Sequence, residues 1–183
     1  MTEEMSSYHC TYCGSDQLSQ TSEQHLYCQM CHYTNFVNPV TSVGIYLINP
    51  SGQVCLCERK YDPDQWKYDE AWGFCDIGDS SCEQAIIREV QEELWLSLTT
   101  WDLHYLKSNA ASYAYQGRDI IVMCVLYYTY LTWSQIESLS AHDDVASIKR
   151  FDLQNIDPQI LAHGQQAIHA IKILSDMIWR SQY

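Results

Sequence analysis

The sequence predicts an α/β fold, a mixed sheet covered by helices on both faces and preceded by a small cysteine-rich module. Three observations predict it. Two C-x2-C pairs, Cys10/Cys13 and Cys28/Cys31, fall within the first 36 residues. Beyond them, β-rich apolar runs are interspersed with helical patterns. A hydrophobic content of 46%, with six Trp and fourteen Tyr, suits a packed globular chain rather than a disordered one. The expected division is residues 1–36 for the module and 37–183 for the larger domain.

The module comes first. Its pattern, C-x2-C-x14-C-x2-C, carries two similar knuckles, "CTYCGSD" and "CQMCHYT". Tetrahedral Zn²⁺ takes four thiolates from two closely spaced pairs, and the segment between them can supply a short hairpin. Gly14 suits the tight turn after the first pair. A segment this short cannot build an apolar core, so the metal would be its main source of folding free energy. The expectation is a structural zinc ribbon on Cys10, Cys13, Cys28 and Cys31, with His9 and His32 as bystanders.

In the larger domain, "TSVGIYLIN" and "QVCLCERK", separated by Asn49, Pro50, Ser51 and Gly52, read as a hairpin. The polar stretch "YDPDQWKYDEA" reads as a loop leading into "WGFCDIGDSS". From Cys82 to Leu94, Ala85, Ile86, Val90 and Leu94 recur at helical spacing, with Arg88, Glu89, Glu92 and Glu93 expected on the other side, Ser80 or Ser81 as N-cap and Glu83 in the first turn. The run Ile120 to Leu131 reads as a long buried strand, and "ASIKRFDL" as a short one. Ile168, Ile171, Leu174 and Ile178 form one stripe of a closing helix.

Within the first of these helices, "IIREVQEEL" crowds Glu89, Glu92 and Glu93 beside Arg88. Like charges at i,i+3 and i,i+4 cost about 0.2–0.5 kcal/mol per pair on an isolated helix. A solvated acidic face, offset by an Arg88–Glu92 pair, is the bland explanation. A bound cation is the sharper one. Mg²⁺ takes a few carboxylates together with phosphate oxygens and water, and carboxylates at this spacing can converge on one such ion.

Charge narrows the partners. Acidic residues outnumber basic ones 23 to 10, for a formal charge of −13. Residues 1–36 contain no Lys or Arg, and a centre of four thiolates is itself negative. Nucleic-acid and anionic-membrane binding are therefore not expected. The ribbon's expected role is structural, extending to packing or a homodimer contact. The amino terminus, "MTEEMSSYHC", has no basic or apolar region of a secretory signal. Nine cysteines, four of them in a metal pattern, fit a reducing cytoplasm better than a disulfide framework.

At Gly73–Leu96, "GFCDIGDSSCEQAIIREVQEELWL" resembles the Nudix box, G-x5-E-x7-R-E-U-x-E-E-x-G-U with U apolar. A four-cysteine ribbon followed by Asn38-Pro39 and a strand resembles the zinc-ribbon branch that includes NADH pyrophosphatases. The resemblance implies a Nudix α/β/α sandwich, a catalytic Mg²⁺ or Mn²⁺, and hydrolysis of a nucleoside diphosphate linked to another moiety. By resemblance, Glu89, Glu92 and Glu93 match the carboxylates that hold metal. Arg88 matches the arginine that orients one of them, and Gly73 the glycine whose carbonyl reaches the ion.

Two departures stand out. Asp79 takes the place of the first box Glu, eight rather than seven residues before Arg88, so the junction must bulge or the helix start late. Trp95 replaces a glycine that serves a left-handed terminus, a conformation costly for Trp. The helix is expected to end by another route, or the ring to close over the site. The general base is open between the box helix and a later loop. "SAHDDVASIKRF" resembles a recurring DDV segment, which makes His142, Asp143 and Asp144 candidates against the alternative of a plain turn. Arg59, Lys60 and Lys67 are candidate phosphate contacts, Arg59 with surface acids as its alternative partners. Tyr46, Trp66, Trp72, Tyr113 and Tyr115 are candidates to stack on a base, against ordinary packing.

The segment "KSNAASYAYQGRD" differs from the S-Q-P-W-P-F-P-x-S of NADH pyrophosphatases, which argues against NADH. An ADP-ribose-like substrate leads, a nucleoside triphosphate follows, and a non-catalytic nucleotide sensor is the rival from another class.

Overall fold

The computed structural model describes residues 8–180, and the chain divides into two compact units, Met1–Pro39 and Val40–Tyr183. In the first unit, β1 (Leu18–Gln20), β2 (Leu26–Cys28) and β3 (Thr34–Asn35) form an antiparallel sheet. Gly14 turns back after the first knuckle with φ of 75°, donating its N–H to the Cys10 carbonyl at 2.8 Å. His32 makes the same turn after the second, with φ of 62° and an N–H bond of 3.0 Å to the Cys28 carbonyl. Among this unit's described residues only Cys10, Leu26 and Cys28 are buried apolar side chains. That is too little apolar surface to fold on.

The second unit runs β4 (Val40–Ile48), β5 (Val54–Arg59), β6 (Tyr68–Asp69), β7 (Ala71–Phe74), α1 (Cys82–Leu94), β8 (His104–Tyr115), β9 (Arg118–Tyr130), α2 (Trp133–Ser138), β10 (Val145–Phe151) and α3 (Gln165–Arg180). The sheet order is β10-β5-β4-β9-β8, with β6 beside β5 and β7 beside β4. Only β4 and β9 pair in parallel, so the sheet is mixed.

Period-two alternation on β4 sends Val43, Ile45 and Leu47 to one face and Tyr46 and Ile48 to the other, all buried. The first set packs with Ile86, Val90 and Leu94 of α1; the second joins Ala170, Ile171 and Leu174 of α3. The result is the expected α/β/α arrangement.

One detail of the sheet positions the site. The expected hairpin turn is present, with Asn49 Oδ1 accepting from the Ser51 and Gln53 N–H groups at 2.9 Å. Yet β4 and β5 pair only at Leu47/Cys55 and Ile48/Val54 before they part. The other half of β4 pairs with β7, and β5 pairs with β6. Residues 68–74 thus fill the fork between two splayed strands.

Several sequence expectations need correction. The stretch expected as a loop contains β6, because Tyr68 and Asp69 complete the edge that the fork leaves open. The long run is a strand, but only half buried: Val122 and Leu126 face inward while Ile121 and Met123 are exposed. Its partner β8, rich in Ala and Ser, carries too weak an apolar alternation to be anticipated. No helix among the described residues is long and apolar enough to cross a membrane.

Candidate active site

α1 spans the residues its spacing predicts, capped by Ser81, whose Oγ accepts from the Gln84 N–H at 3.3 Å. Its apolar stripe faces the core and carries Glu93 with it, one turn on from Val90 and two from Ile86. Arg88 gathers the acids around it. Nη1 donates to Glu89 Oε1 at 2.8 Å and to Glu92 Oε2 at 3.0 Å. Nη2 donates to the Phe74 carbonyl at 2.9 Å and Asp79 Oδ2 at 3.0 Å, and Nε to Asp79 Oδ1 at 3.2 Å.

This network absorbs the first departure. The additional residue lies in the segment leading to the Ser81 cap, and Asp79 still grips Arg88 through both oxygens while accepting the Asp76 N–H at 2.8 Å. The second departure corrects an expectation. Trp95 does adopt the left-handed terminus, with φ of 54° and its N–H bonded to the Gln91 carbonyl at 3.2 Å. Two neighbours offset the cost. The Glu93 and Leu94 carbonyls accept from His142 and Ser140, and the indole lies flat on the His142 ring, centroids 4.5 Å apart. The ring covers His142 rather than the site.

A cavity of about 570 Å³ opens beside α1. Glu89 and Glu93 line it, and so do Gly73, Asp143 and Asp144. Nine of its lining residues are acids, and Arg59 is its one Lys or Arg. A Cβ on Gly73 would sit on the Glu89 carboxylate, so this position has room only for glycine. Glu93 Oε2 accepts the Trp72 N–H at 3.3 Å. Burial pushes the Glu93 carboxyl up to about 9, with Asp69 and Glu89 adding to the rise. Burial also raises Glu89, against the pull of Arg88, and raises Asp144, next to Asp143.

Other candidates are placed differently. Glu92 stays on Arg88, its side chain 51% exposed, and does not line the cavity. Arg59 lines it but is committed: Nη1 donates to Asp69 at 2.7 Å, Nε to the Pro63 carbonyl at 2.7 Å, and its guanidinium lies over Trp72. Its acid partner is buried, not on the surface. Lys67 pairs with Asp64 at 2.7 Å, away from the cavity lining. Lys60 Nζ donates to the Asp143 carbonyl at 3.0 Å. Asp143 and Asp144 stand in the turn before β10. Sequence reading missed Asp69 and Glu70, two buried acids at the fork; adjacent acids after a Tyr in a polar stretch gave no periodic signal.

The donors fit a divalent cation. Mg²⁺ is commonly held by one or two carboxylates, with phosphate oxygens and water completing six positions; Glu89 and Glu93 are carboxylates of that kind on the cavity wall, beside Gly73. The four cysteines fit a different ion. Among the described residues they alone bring three or more Cys, His or carboxylate ligand atoms within 4.8 Å of one another. The Cys10–Cys31 and Cys13–Cys28 sulfurs are 3.6 and 3.7 Å apart. Tetrahedral Zn–S bonds of about 2.3 Å require about 3.8 Å between sulfurs.

A stability prediction follows from Glu93. Its carboxyl holds a proton in the folded state up to about pH 9, whereas the unfolded chain releases it near 4.5. The folded state therefore binds more protons across that window, and stability falls as pH rises through it. The slope is at most about 1.4 kcal/mol per pH unit from this group. Urea unfolding in chelator at pH 5 and pH 8 should show the fall, and Glu93→Gln should flatten it. Equal slopes in the two proteins would refute the assignment.

Comparison with known proteins decides the family. A family profile described as "NUDIX domain" matches residues 38–172. The chain belongs to the NUDIX domain family. Solved structures with the same fold include three with quite different overall lengths. A MutT/nudix family protein from Enterococcus faecalis is 22% identical, with 64% of this chain and 45% of that one covered and a TM-score of 0.54. The NUDIX domain of Shewanella oneidensis NrtR, complexed with ADP ribose, is 16% identical, covers 78% and 90%, and scores 0.62. A bifunctional NMN adenylyltransferase/ADP ribose pyrophosphatase from Francisella tularensis, complexed with AMP and Mn, is 21% identical, covers 78% and 42%, and scores 0.59. This NUDIX chain thus spans less than half of the first and third. No curated protein matches it by sequence.

Proposed function

We propose that this NUDIX protein hydrolyses the diphosphate bond of a nucleoside diphosphate joined to another group, ADP-ribose foremost, with a divalent cation in the cavity and zinc in the amino-terminal ribbon. The observation that carries this reading is the cavity itself. A hollow lined by nine acids and one arginine repels a diphosphate unless cations enter with it. Glu89, Glu93 and the Gly73 carbonyl would hold Mg²⁺ or Mn²⁺, joined by Glu92 once it leaves Arg88. Such an ion supplies charge neutralisation at the diphosphate and makes water a stronger acid.

The chain's own residues do the rest. Arg88 fixes Glu89 against Gly73 and ties the Asp79 loop to α1. Asp143 and Asp144, which also line the cavity, are candidate proton acceptors from the attacking water. Arg59, held rigid by Asp69, presents one edge of a cation to the incoming substrate. The similar folds seen with ADP ribose and with AMP and Mn bring this ligand class into consideration for the chain. The retained Asp79–Arg88 and Trp95 geometry weighs against a degenerate, non-catalytic domain.

The test is release of AMP from ADP-ribose by the full chain with millimolar Mg²⁺. Turnover that chelator abolishes is expected. A nucleoside triphosphate hydrolysed in its place would redirect the substrate assignment. Nucleotide binding without any turnover would make the protein a sensor.

A further inference from the structure

A second cavity, of about 100 Å³, lies beside the first and shares Glu70, Trp72 and Tyr113 with it. It is lined by the α3 side of the sheet and by the start of α3, through Gln166 and Ala167. Among the described residues, four buried side-chain polar atoms lack a hydrogen-bond partner, and three belong to this lining: Tyr46 Oη, Glu70 Oε2 and Asn109 Oδ1. Tyr46 is 1% exposed and Glu70 7%. Leaving such groups unpaired costs about 1–3 kcal/mol each, so three in one hollow call for a common occupant.

The positions are built. Asn109 donates Nδ2 to Gln166 Oε1 at 2.6 Å, which turns its amide so that only Oδ1 is left over. Gly44 gives Glu70 its room, since a Cβ there would press on the Glu70 and Leu126 side chains at 2.9 Å. Val122, Leu126, Ala111 and Ala167 supply apolar walls. Asn109 Oδ1 and the Glu70 carboxylate oxygen accept, and the Tyr46 hydroxyl can donate or accept, so the fitting ligand presents N–H donors to the first two. Apolar walls with a few convergent polar atoms suit a flat heteroaromatic ring.

Size limits it further. The hollow would hold about three waters, and an apolar cavity that takes benzene measures about 150 Å³. One edge of a heterocycle fits, with its remainder directed past Trp72 towards the acidic cavity.

Resting on the hydrolase reading above, we propose that this cavity selects the nucleobase of the substrate by its exocyclic amino group, donated to Asn109 Oδ1 and Glu70 Oε2 beside the Tyr46 hydroxyl. A carbonyl at the same place meets the two acceptor oxygens, Asn109 Oδ1 and Glu70 Oε2, and makes neither bond. Sites built to hydrogen-bond a ligand group discriminate strongly against analogues that lack it.

The experiment compares ADP-ribose with its hypoxanthine counterpart, as kcat/KM on the full chain, for wild type, Tyr46→Phe and Asn109→Ala. Wild type should prefer the aminated base by at least about thirtyfold. Each variant should bring the ratio to within about fivefold. Melting temperatures of both variants check that each remains folded. A parallel melting series with adenosine and inosine reads base binding without turnover. Equal kcat/KM for the two bases in wild type overturns the proposal, leaves the hydrolase reading standing and marks the cavity as water-filled. A shift with adenosine alone, lost in Tyr46→Phe but without turnover of either diphosphate, supports the cavity's role and overturns the hydrolase reading. Neither turnover nor shift overturns both.

Discussion

Glu93→Gln is expected to lower kcat/KM for a diphosphate-linked nucleotide by about a thousandfold, some 4 kcal/mol of transition-state stabilisation. Gln keeps the shape and the Trp72 N–H contact but removes the charge a cation needs. Glu93 sits deeper than any other acid of α1, with burial raising its carboxyl to about 9, so its negative form is stabilised by little else in the cavity. The same substitution removes the cost of ionising that buried carboxyl. In chelator the variant should therefore melt no lower than wild type at pH 8, while its turnover collapses. That opposition separates a functional residue from a structural one. Glu89→Gln and Glu92→Gln should act in the same direction on turnover, since a cation beside Glu89 competes with Arg88 for the exposed Glu92 carboxylate. Turnover of Glu93→Gln within about fivefold of wild type would mean that Glu93 is not among the metal carboxylates.

The place of Glu93 was misread in the sequence: expected with Arg88, Glu89 and Glu92 opposite the apolar stripe, it is buried within that stripe. Ile86, Val90 and Glu93 fall at i, i+4 and i+7, so an acid occupies the stripe that packs on the sheet. Arg88 and Glu92 were legible as an i,i+4 pair, and the structure makes that bond at 3.0 Å. Helix spacing speaks for itself because its neighbours are fixed within one turn.

The opposite wall was not legible, and the reason is pairing. Asp69 and Glu70 are buried because β4 leaves β5 and a short strand fills the fork, Cys57 opposite Asp69. No local period encodes such a departure. Gly44 shows the same dependence: its missing side chain matters only because Glu70, 26 positions on, leans over it. Long-range register decides which polar residues go inside, and a single sequence carries that information only in combination. Trp95 is the converse case. Intrinsic conformational cost argued against a left-handed Trp, yet the 140–142 segment donates N–H groups to the terminal carbonyls and offers a ring to stack on.

Removal of metal from the amino-terminal unit is expected to unfold that unit and leave the other intact. Structural zinc in small thiolate modules contributes on the order of 10–16 kcal/mol near neutral pH. Against this, the unit's described residues bury only Cys10, Leu26 and Cys28 among apolar side chains, far short of what offsets chain entropy over thirty-odd residues at about 1.5 kcal/mol each. The thiols themselves point the same way. Backbone N–H bonds, led by that of Cys31, bring Cys28 down to about 6. Cys31 is pushed to about 12, where burial and the neighbouring sulfurs outweigh the Tyr33 N–H. Four sulfurs at 3.6–3.7 Å contacts cannot all ionise without a cation among them. All six tryptophans, Trp66 to Trp179, lie in the second unit, and the tyrosines Tyr8, Tyr12, Tyr27 and Tyr33 in the first. A strong thiophilic chelator, or Cys28→Ser, should thus expose residues 8–39 to protease while tryptophan emission holds its native position. Acidification should release the ion too, since protons compete for thiolates. Continued protease resistance of the unit after the zinc has been stripped would show that its fold draws on contacts other than the metal.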